Sequence, residues 1–275
     1  MQNALKEIFQ ITNKYIVLAT PLILFSLVSS VYLTVSMTNN PIGLLLAITI
    51  FTLMSGAFIS GWFYMVKNAV CNTQDNDPNM LLKEFPSGVG EYFLSALGLI
   101  FNSITFIFIM LIGSYFVGVK TIGNPNISGE SLTNAIQSAE ALKEFLTSLS
   151  AQQLNQLQHW NLLLLGVMAL CYFLLILYVP AMFFKEKNPF KAIFVSLKDL
   201  FSRNFINTLG VYILIFAINF VISIFAALTS GNFILNFVMT LVNFYYLILM
   251  AVGIFYYYYN TFVRSPLGRN IDTKI

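Results

Sequence analysis

Long stretches of this sequence lack any charged residue, although the chain of 275 residues carries 14 Lys and Arg and 11 Asp and Glu. Three of them, residues 15–66, 92–119 and 204–263, hold 52, 28 and 60 residues. A helix crosses the hydrocarbon core of a bilayer with about 20 apolar residues. The missing charge therefore predicts a protein that crosses a membrane several times.

Turn-forming residues divide the two longest stretches, at Asn39-Asn40-Pro41 and at Ser230-Gly231-Asn232. A membrane β-barrel needs segments of about ten residues with alternating polarity. Runs such as Phe106–Ile112 do not alternate, so the predicted fold class is all-α. We expect a single polytopic membrane domain with six transmembrane helices, near residues 15–37, 42–66, 92–119, 160–184, 205–229 and 232–263.

The basic residues divide unequally between the two sides of these six spans. Twelve of the 14 Lys and Arg fall on the side of the termini, and only Lys120 and Lys143 fall on the other. Basic loops stay in the cytoplasm, so both termini are predicted to be cytoplasmic. The abundance of Ile, Phe, Asn and Lys is typical of an AT-rich bacterial genome and favours a bacterial inner membrane. The outer sequon Asn126-Ile127-Ser128 has a meaning only in a eukaryotic secretory pathway.

Histidine and cysteine are almost absent, with His159, Cys71 and Cys171 as the whole set. An intramembrane metalloprotease needs a cluster of His and carboxylate ligands, and a disulfide framework needs paired cysteines. The spans also lack the ionisable group that ion-coupled carriers and proton pumps use at membrane depth. No basic cluster is large enough to follow a nucleic acid. We therefore expect no enzyme, no metal, no cofactor and no nucleic-acid partner.

The loop before the fifth span predicts an amphipathic helix over residues 188–204. Asn188 can cap its start. Pro189 has no backbone N–H to donate, but the first helical position does not need one. Apolar residues then recur at helical spacing, at Phe190, Ile193, Phe194, Leu197, Leu200 and Phe201. One interpretation places this face in the acyl boundary of the cytoplasmic leaflet. The other packs it on the protein's own helices. The residues assigned to lipid or partner binding are Lys187, Lys191, Phe194, Lys198, Phe201 and Arg203.

A second start signal, Asp77-Pro78, precedes the third span. It predicts a short interfacial helix that Pro86 and Gly88 end, because proline removes a backbone donor and glycine weakens a helix. The two loops on the cytoplasmic side would then each hold an amphipathic helix.

The outer loop, residues 120–159, is the one sizeable element outside the spans. Ser128 or Ser131 can cap a first helix whose apolar side holds Leu132, Ala135, Ile136, Ala139, Leu142 and Leu146. Ser150 can start a second helix. We expect a small helical cap that is either a docking surface or simple packing on the spans.

Uncharged polar residues recur within the fifth and sixth spans. They are Asn219 and Ser223 on the fifth, and Asn236, Thr240 and Asn243 on the sixth. Their spacing of three and four residues places each set on one helix face. Such residues can line a polar path, but hydrogen bonding between helices is their commoner use. Asn102 on the third span belongs to the same class.

Two further patterns concern packing and the membrane boundary. Gly56 with Ser60, and Ser114 with Gly118, are pairs of small residues four apart that allow close helix contact or self-association. The five aromatic residues 255–259 predict an interfacial belt, because consecutive residues point all round a helix.

A family resemblance is visible around the amphipathic helix. The residues concerned are Tyr178-Val179-Pro180-Ala181-Met182-Phe183-Phe184-Lys185, Asn188-Pro189-Phe190-Lys191-Ala192 and Ser196-Leu197-Lys198-Asp199-Leu200-Phe201. This stretch resembles bacterial and archaeal six-span proteins that are grouped loosely with the membrane domain of glycerophosphodiester phosphodiesterase. Ala192 and Ser196 hold the positions of the Ala-x-x-x-Ser pattern, whereas Leu197 stands where Trp is often found. We expect no phosphodiesterase domain, because 11 residues follow Arg264.

These observations support two hypotheses of function. The first is a non-enzymatic membrane protein that binds lipid or a membrane partner through the helix 188–204 and the outer cap. The resemblance implies, by analogy, a role in envelope maintenance or immunity. The alternative is a transporter or lipid translocase without an intramembrane charge, with the polar residues of the fifth and sixth spans lining its route.

Overall fold

The computed structural model describes residues 2–36, 40–71, 78–124, 129–135, 137–229 and 231–264, which form helices and no strand. Asn39, Asp77, the sequon 126–128 and Ser230 lie outside these residues. The helices are α1 (Gln2–Lys14), α2 (Ala19–Ser36), α3 (Pro41–Cys71), α4 (Pro78–Thr121), α5 (Gly129–Ala135), α6 (Ala139–Ser148), α7 (Ala151–Leu175), α8 (Tyr178–Phe184), α9 (Pro189–Leu200), α10 (Phe205–Thr229) and α11 (Phe233–Tyr258). A π-helical turn, Tyr259–Val263, continues α11.

Six of these segments are long and apolar enough to cross a membrane. They are Ile16–Ser36, Pro41–Cys71, Met80–Thr121, Ala151–Phe184, Phe205–Thr229 and Phe233–Val263. The predicted all-α fold with six membrane-spanning helices is therefore confirmed. The fourth segment consists of two helices, because the chain turns at residues 176 and 177 between α7 and α8.

The chain divides into two compact units. The first contains the described residues up to Asn102 and from Leu174 onward, and the second runs over Ser103–Phe173. The core of the first unit is aromatic: the Phe63 ring stacks on Phe255 with centroids 5.5 Å apart, and Phe255 and Tyr258 are fully buried. The prediction of an interfacial belt is wrong for these two residues. They belong to the faces of α11 that other helices of the unit cover.

In the second unit, Trp160 joins the end of α4 to α7. Its Nε1 donates a hydrogen bond of 3.0 Å to the carbonyl oxygen of Gly123, which has a positive φ of 86°. Its ring lies directly over Gly118, where any Cβ would collide with it. The small residue at position 118 is thus required by a neighbour in the same chain.

The third span begins much earlier than predicted, because α4 runs through Pro86 without a break. The expected short helix ending at Pro86 and Gly88 is therefore wrong. Packing on α3 explains the difference: a Cβ at Gly88 would lie 2.9 Å from the carbonyl oxygen of Ser60. The Phe85 ring covers Gly61 in the same contact, where a Cβ would lie 2.7 Å away. These contacts offset the cost of about 3 kcal/mol that a proline imposes on a helix interior.

The outer loop holds two short helices, α5 and α6, although not with the predicted boundaries. Ser138 caps α6 by accepting a hydrogen bond of 3.0 Å from the backbone N–H of Ala141. Of the predicted caps, Ser128 lies outside the described residues. The helix expected from Ser150 is not a separate cap helix, because it is the first part of α7 and continues into the span.

The small residues on α3 pack within the chain. A Cβ at Gly56 would lie 2.6 Å from the Leu97 side chain of α4, and Ser60 is fully buried. In the second unit, Ser114 is buried and Gly118 touches Trp160. These contacts use the close approach inside one chain, and self-association through the four residues stays a prediction.

Candidate functional site

Helix α9 begins as the sequence predicts. The Asn188 side-chain oxygen accepts hydrogen bonds of 2.9 and 3.4 Å from the backbone N–H groups of Phe190 and Lys191. Pro189 occupies the first turn, where its missing donor costs nothing. The Glu186 side chain accepts a bond of 3.1 Å from the Asn188 backbone N–H and fixes the approach to the helix.

One face of α9 packs on the first unit. Ala192, Ser196 and Leu200 recur every four residues and are all fully buried. The Ser196 hydroxyl donates a hydrogen bond of 2.8 Å to the carbonyl oxygen of Ile193 in its own helix, so its burial leaves no unpaired group. This face contains Ala192 and Ser196, the two residues of the Ala-x-x-x-Ser pattern.

The start of α9 is held by α4 and α8. The Tyr178 hydroxyl donates a hydrogen bond of 2.9 Å to the carbonyl oxygen of Pro189 and accepts one of 3.0 Å from the Asn102 side chain. The Pro189 ring lies against Gly98, where a Cβ would be 3.1 Å from the Pro189 Cβ. Asn102 therefore joins two helices by a hydrogen bond, the commoner of the two uses considered for the polar residues.

The end of α9 is held by α8 and α11 through Asp199. Its carboxylate accepts hydrogen bonds of 2.8 and 3.0 Å from Lys185 Nζ and one of 2.6 Å from the Tyr258 hydroxyl. Lys185 Nζ also lies 5.4 Å from the centroid of the Tyr258 ring. Because charged groups strengthen these bonds, the three helices meet at a well-defined point.

The opposite face of α9 is exposed and aromatic. Phe190, Phe194 and Phe201 are 57%, 72% and 62% exposed. At 3.6 residues per turn these three rings lie within about 40° of one another, and Lys191 and Lys198 lie roughly 60° to 80° to one side of their centre. Both lysines are exposed, as is Arg203 beyond the helix end. We call Phe190, Phe194 and Phe201 with Lys191, Lys198 and Arg203 the α9 surface.

The two sequence interpretations of α9 therefore apply to different residues. Leu200, which the sequence placed on the aromatic side, packs on the bundle, and Ile193 and Leu197 are partly buried. Of the predicted binding residues, Lys187 is set apart from the α9 surface. It forms an ion pair with Glu91 of α4 and is 60% exposed.

The five residues of the predicted polar path are all exposed on α10 and α11. The hydroxyls of Ser223 and Thr240 donate hydrogen bonds of 2.9 Å to the carbonyl oxygens of Asn219 and Asn236, each within its own helix. Among the described contacts, none of the five forms a hydrogen bond from one helix to the other. Asn243, the fifth of these residues, is likewise exposed on α11.

Two other polar contacts join α10 to α11. The Tyr246 hydroxyl donates a bond of 2.8 Å to the carbonyl oxygen of Ile215, and Thr208 and Tyr257 share one of 2.8 Å between their hydroxyls. Sequence reasoning missed them, because tyrosines in an aromatic-rich span carry no periodic signal. Among the described residues, no three His, Cys, Asp or Glu side chains come close enough to hold a metal ion.

No family model, curated protein or solved structure matches the chain. The resemblance to six-span proteins around α9 therefore stays an expectation, and we infer the function from the geometry alone.

Proposed function

We propose that the chain is a non-enzymatic multi-pass membrane protein that binds the lipid surface through α9. The aromatic rings of the α9 surface enter the acyl boundary, and its basic side chains reach the phosphate level. The leaflet is the cytoplasmic one of a bacterial inner membrane, as the distribution of basic residues indicates. One observation carries this proposal: three phenylalanines are exposed on a helix whose other face is firmly packed.

The energies favour such a placement. Complete burial of a Phe side chain is worth about 1.5 to 3 kcal/mol, so three exposed rings provide a strong drive toward lipid. Each Lys or Arg near an anionic leaflet adds about 1 kcal/mol. Since α9 is fixed to the unit at both ends, this surface is ordered before lipid contacts it. Little conformational entropy is then lost on binding.

The test places nitroxide labels on α9 in the full-length protein. Cys71 and Cys171 are replaced by Ala, single cysteines are introduced by Phe194→Cys or Lys191→Cys, and the labelled proteins are reconstituted in nanodiscs. We expect the label at position 194 to be more accessible to oxygen, which dissolves in the acyl region, than to a water-soluble nickel complex. The label at position 191, on the same helix, should show the reverse. Equal nickel accessibility at the two positions would contradict the proposal.

One observation favours a lipid translocase as the alternative. Asn236, Thr240 and Asn243 lie within about 60° on α11, and the same face continues to Leu247 and Tyr258. Leu247 packs on the core of the first unit and Tyr258 is fully buried. The polar residues therefore continue the packed side of α11, where a polar headgroup could travel beside them.

A hydrated route along these residues has a direct test. Single cysteines at positions 236, 240 and 243 should react with a charged thiol reagent in reconstituted protein. Cysteines at Val238 and Val242, on another side of the same helix, should not. Protection of all five positions would exclude the route.

A further inference from the structure

Two ammonium groups lie beside one buried aromatic ring in the first unit. Tyr92 of α4 is only 1% exposed. Lys67 Nζ of α3 lies 5.7 Å from the centroid of its ring, and Lys187 Nζ lies 5.2 Å from it. Lys67 Nζ is also 5.6 Å from the centroid of Tyr64. Aromatic rings attract cations at these distances, so Tyr92 interacts with both ammonium groups.

The two ammonium groups differ in their partners. Lys187 forms an ion pair with Glu91, whereas the described residues provide no ion pair to Lys67. The contact from Lys67 Nζ to the Tyr92 hydroxyl is 3.4 Å, which is long for a hydrogen bond. The neighbouring carboxylate, Glu84, accepts instead a bond of 3.2 Å from the Asn68 side chain. Because an ammonium has three donors, Lys67 has hydrogen-bonding capacity to spare.

The position of Lys67 indicates what kind of anion it meets. It is partly buried and lies four residues before the end of α3, a membrane-length helix. A partly buried charge is costly unless it is paired. Near the end of a span, the anions within reach of a lysine are the phosphates of lipid headgroups or of solution.

We propose that Lys67 and Lys187 together bind a phosphate group, which an anionic phospholipid of the surrounding leaflet supplies. The Tyr92 ring holds both cations beside it, Glu91 neutralises Lys187, and Lys67 supplies the excess positive charge. This site provides a specific headgroup contact in addition to the α9 surface. It rests on the proposed function in one respect only, namely that both bind the same leaflet.

The test measures lipid retention by the full-length protein. Protein is purified from nanodiscs with equal phosphatidylglycerol and phosphatidylcholine, and bound lipids are counted by native mass spectrometry. We expect Lys67→Gln to lower retention of phosphatidylglycerol about fivefold, the effect of one near-surface charge. Lys67→Arg should keep it. Lys83→Gln removes an exposed charge from the same side of the spans and should change little. Equal losses from Lys67→Gln and Lys83→Gln would overturn the proposal.

Two further arms separate the alternatives. If inorganic phosphate, followed by ³¹P NMR of delipidated protein, binds in a Lys67-dependent way while lipid retention does not depend on Lys67, the lipid source is overturned. The combined variant Lys191→Gln, Lys198→Gln, Arg203→Gln should leave the Lys67-dependent retention intact, so failure of the α9 surface and failure of this site are distinguishable.

Discussion

Asp199 shows how a single side chain fixes the arrangement of several helices. Its carboxylate receives Lys185 from α8 and Tyr258 from α11, while it is itself part of α9. Its side chain is 15% exposed and that of Lys185 is 30% exposed. The pair is therefore partly screened by solvent, whereas Tyr258 is fully buried and depends on Asp199 for a partner.

Removal of this carboxylate should destabilise the first unit. In Asp199→Ala, the Tyr258 hydroxyl loses its acceptor inside the protein, which costs about 1 to 3 kcal/mol for a buried polar group. We expect a lower midpoint of thermal unfolding in detergent micelles. Tyr258→Phe should cost less, because it removes the donor together with the need for an acceptor. Glu144→Ala, at an exposed carboxylate of α6, is the control. If that control lowers the midpoint as much as Asp199→Ala does, the contacts of Asp199 are unimportant.

At the level of helices, the contact between α4 and α9 depends on the lack of a side chain at Gly98. The Pro189 ring fills the space that a Cβ would occupy there. Both this ring and the backbone of α4 are stiff. The helix α9 can thus start close to the axis of α4. Gly210 of α10 has no atom within 4 Å of its virtual Cβ, so the two glycines provide a matched comparison.

Gly98→Ala should therefore displace the start of α9. Overpacking of this kind costs about 1 to 3 kcal/mol. Gly210→Ala should be neutral or stabilising by up to about 1 kcal/mol, since Ala favours helix more than Gly does. Unfolding of both variants by denaturant in micelles measures the difference. Equal stability of the two would mean that α9 moves away from α4 without cost.

At the level of the whole molecule, the exposed apolar surface agrees with a membrane environment. Thr208 is the one buried residue of α10, although this helix is long enough to cross a membrane. In water the exposure of these apolar side chains would be unfavourable, whereas acyl chains can cover them. The two units each contribute exposed apolar spans of this kind, including Phe205–Thr229 in the first and residues 103–121 in the second.

The orientation of the chain can be tested independently of any function. In cells that express the full-length protein without Cys71 and Cys171, a cysteine at Asn188 should resist an impermeant thiol reagent. A cysteine at Gln137, in the outer loop, should react, because the side of the spans with few basic residues is the exported one. Permeabilised cells should label both positions. Labelling at position 188 in intact cells would show that the topology is the reverse of the predicted one. The α9 surface would then not face the cytoplasm.

The sequence by itself determined the helical fold and its six spans, because the length of a charge-free segment and its hydropathy are local properties. Insertion into a membrane depends directly on both. It also located the start of α9, since an Asn cap and a following proline act within one turn. Tertiary structure decided which side of α9 is free: Ala192, Ser196 and Leu200 are covered by α8 and its neighbours, and this leaves the rings exposed. Packing on α3, through Ser60 and Gly61, explains why Pro86 and Gly88 do not end a helix. Lys67 on α3 and Lys187 in the turn before α9 lie far apart in the chain, and only the fold brings both to the Tyr92 ring. Such contacts depend on the three-dimensional positions of distant residues, for which a single sequence holds no periodic signal.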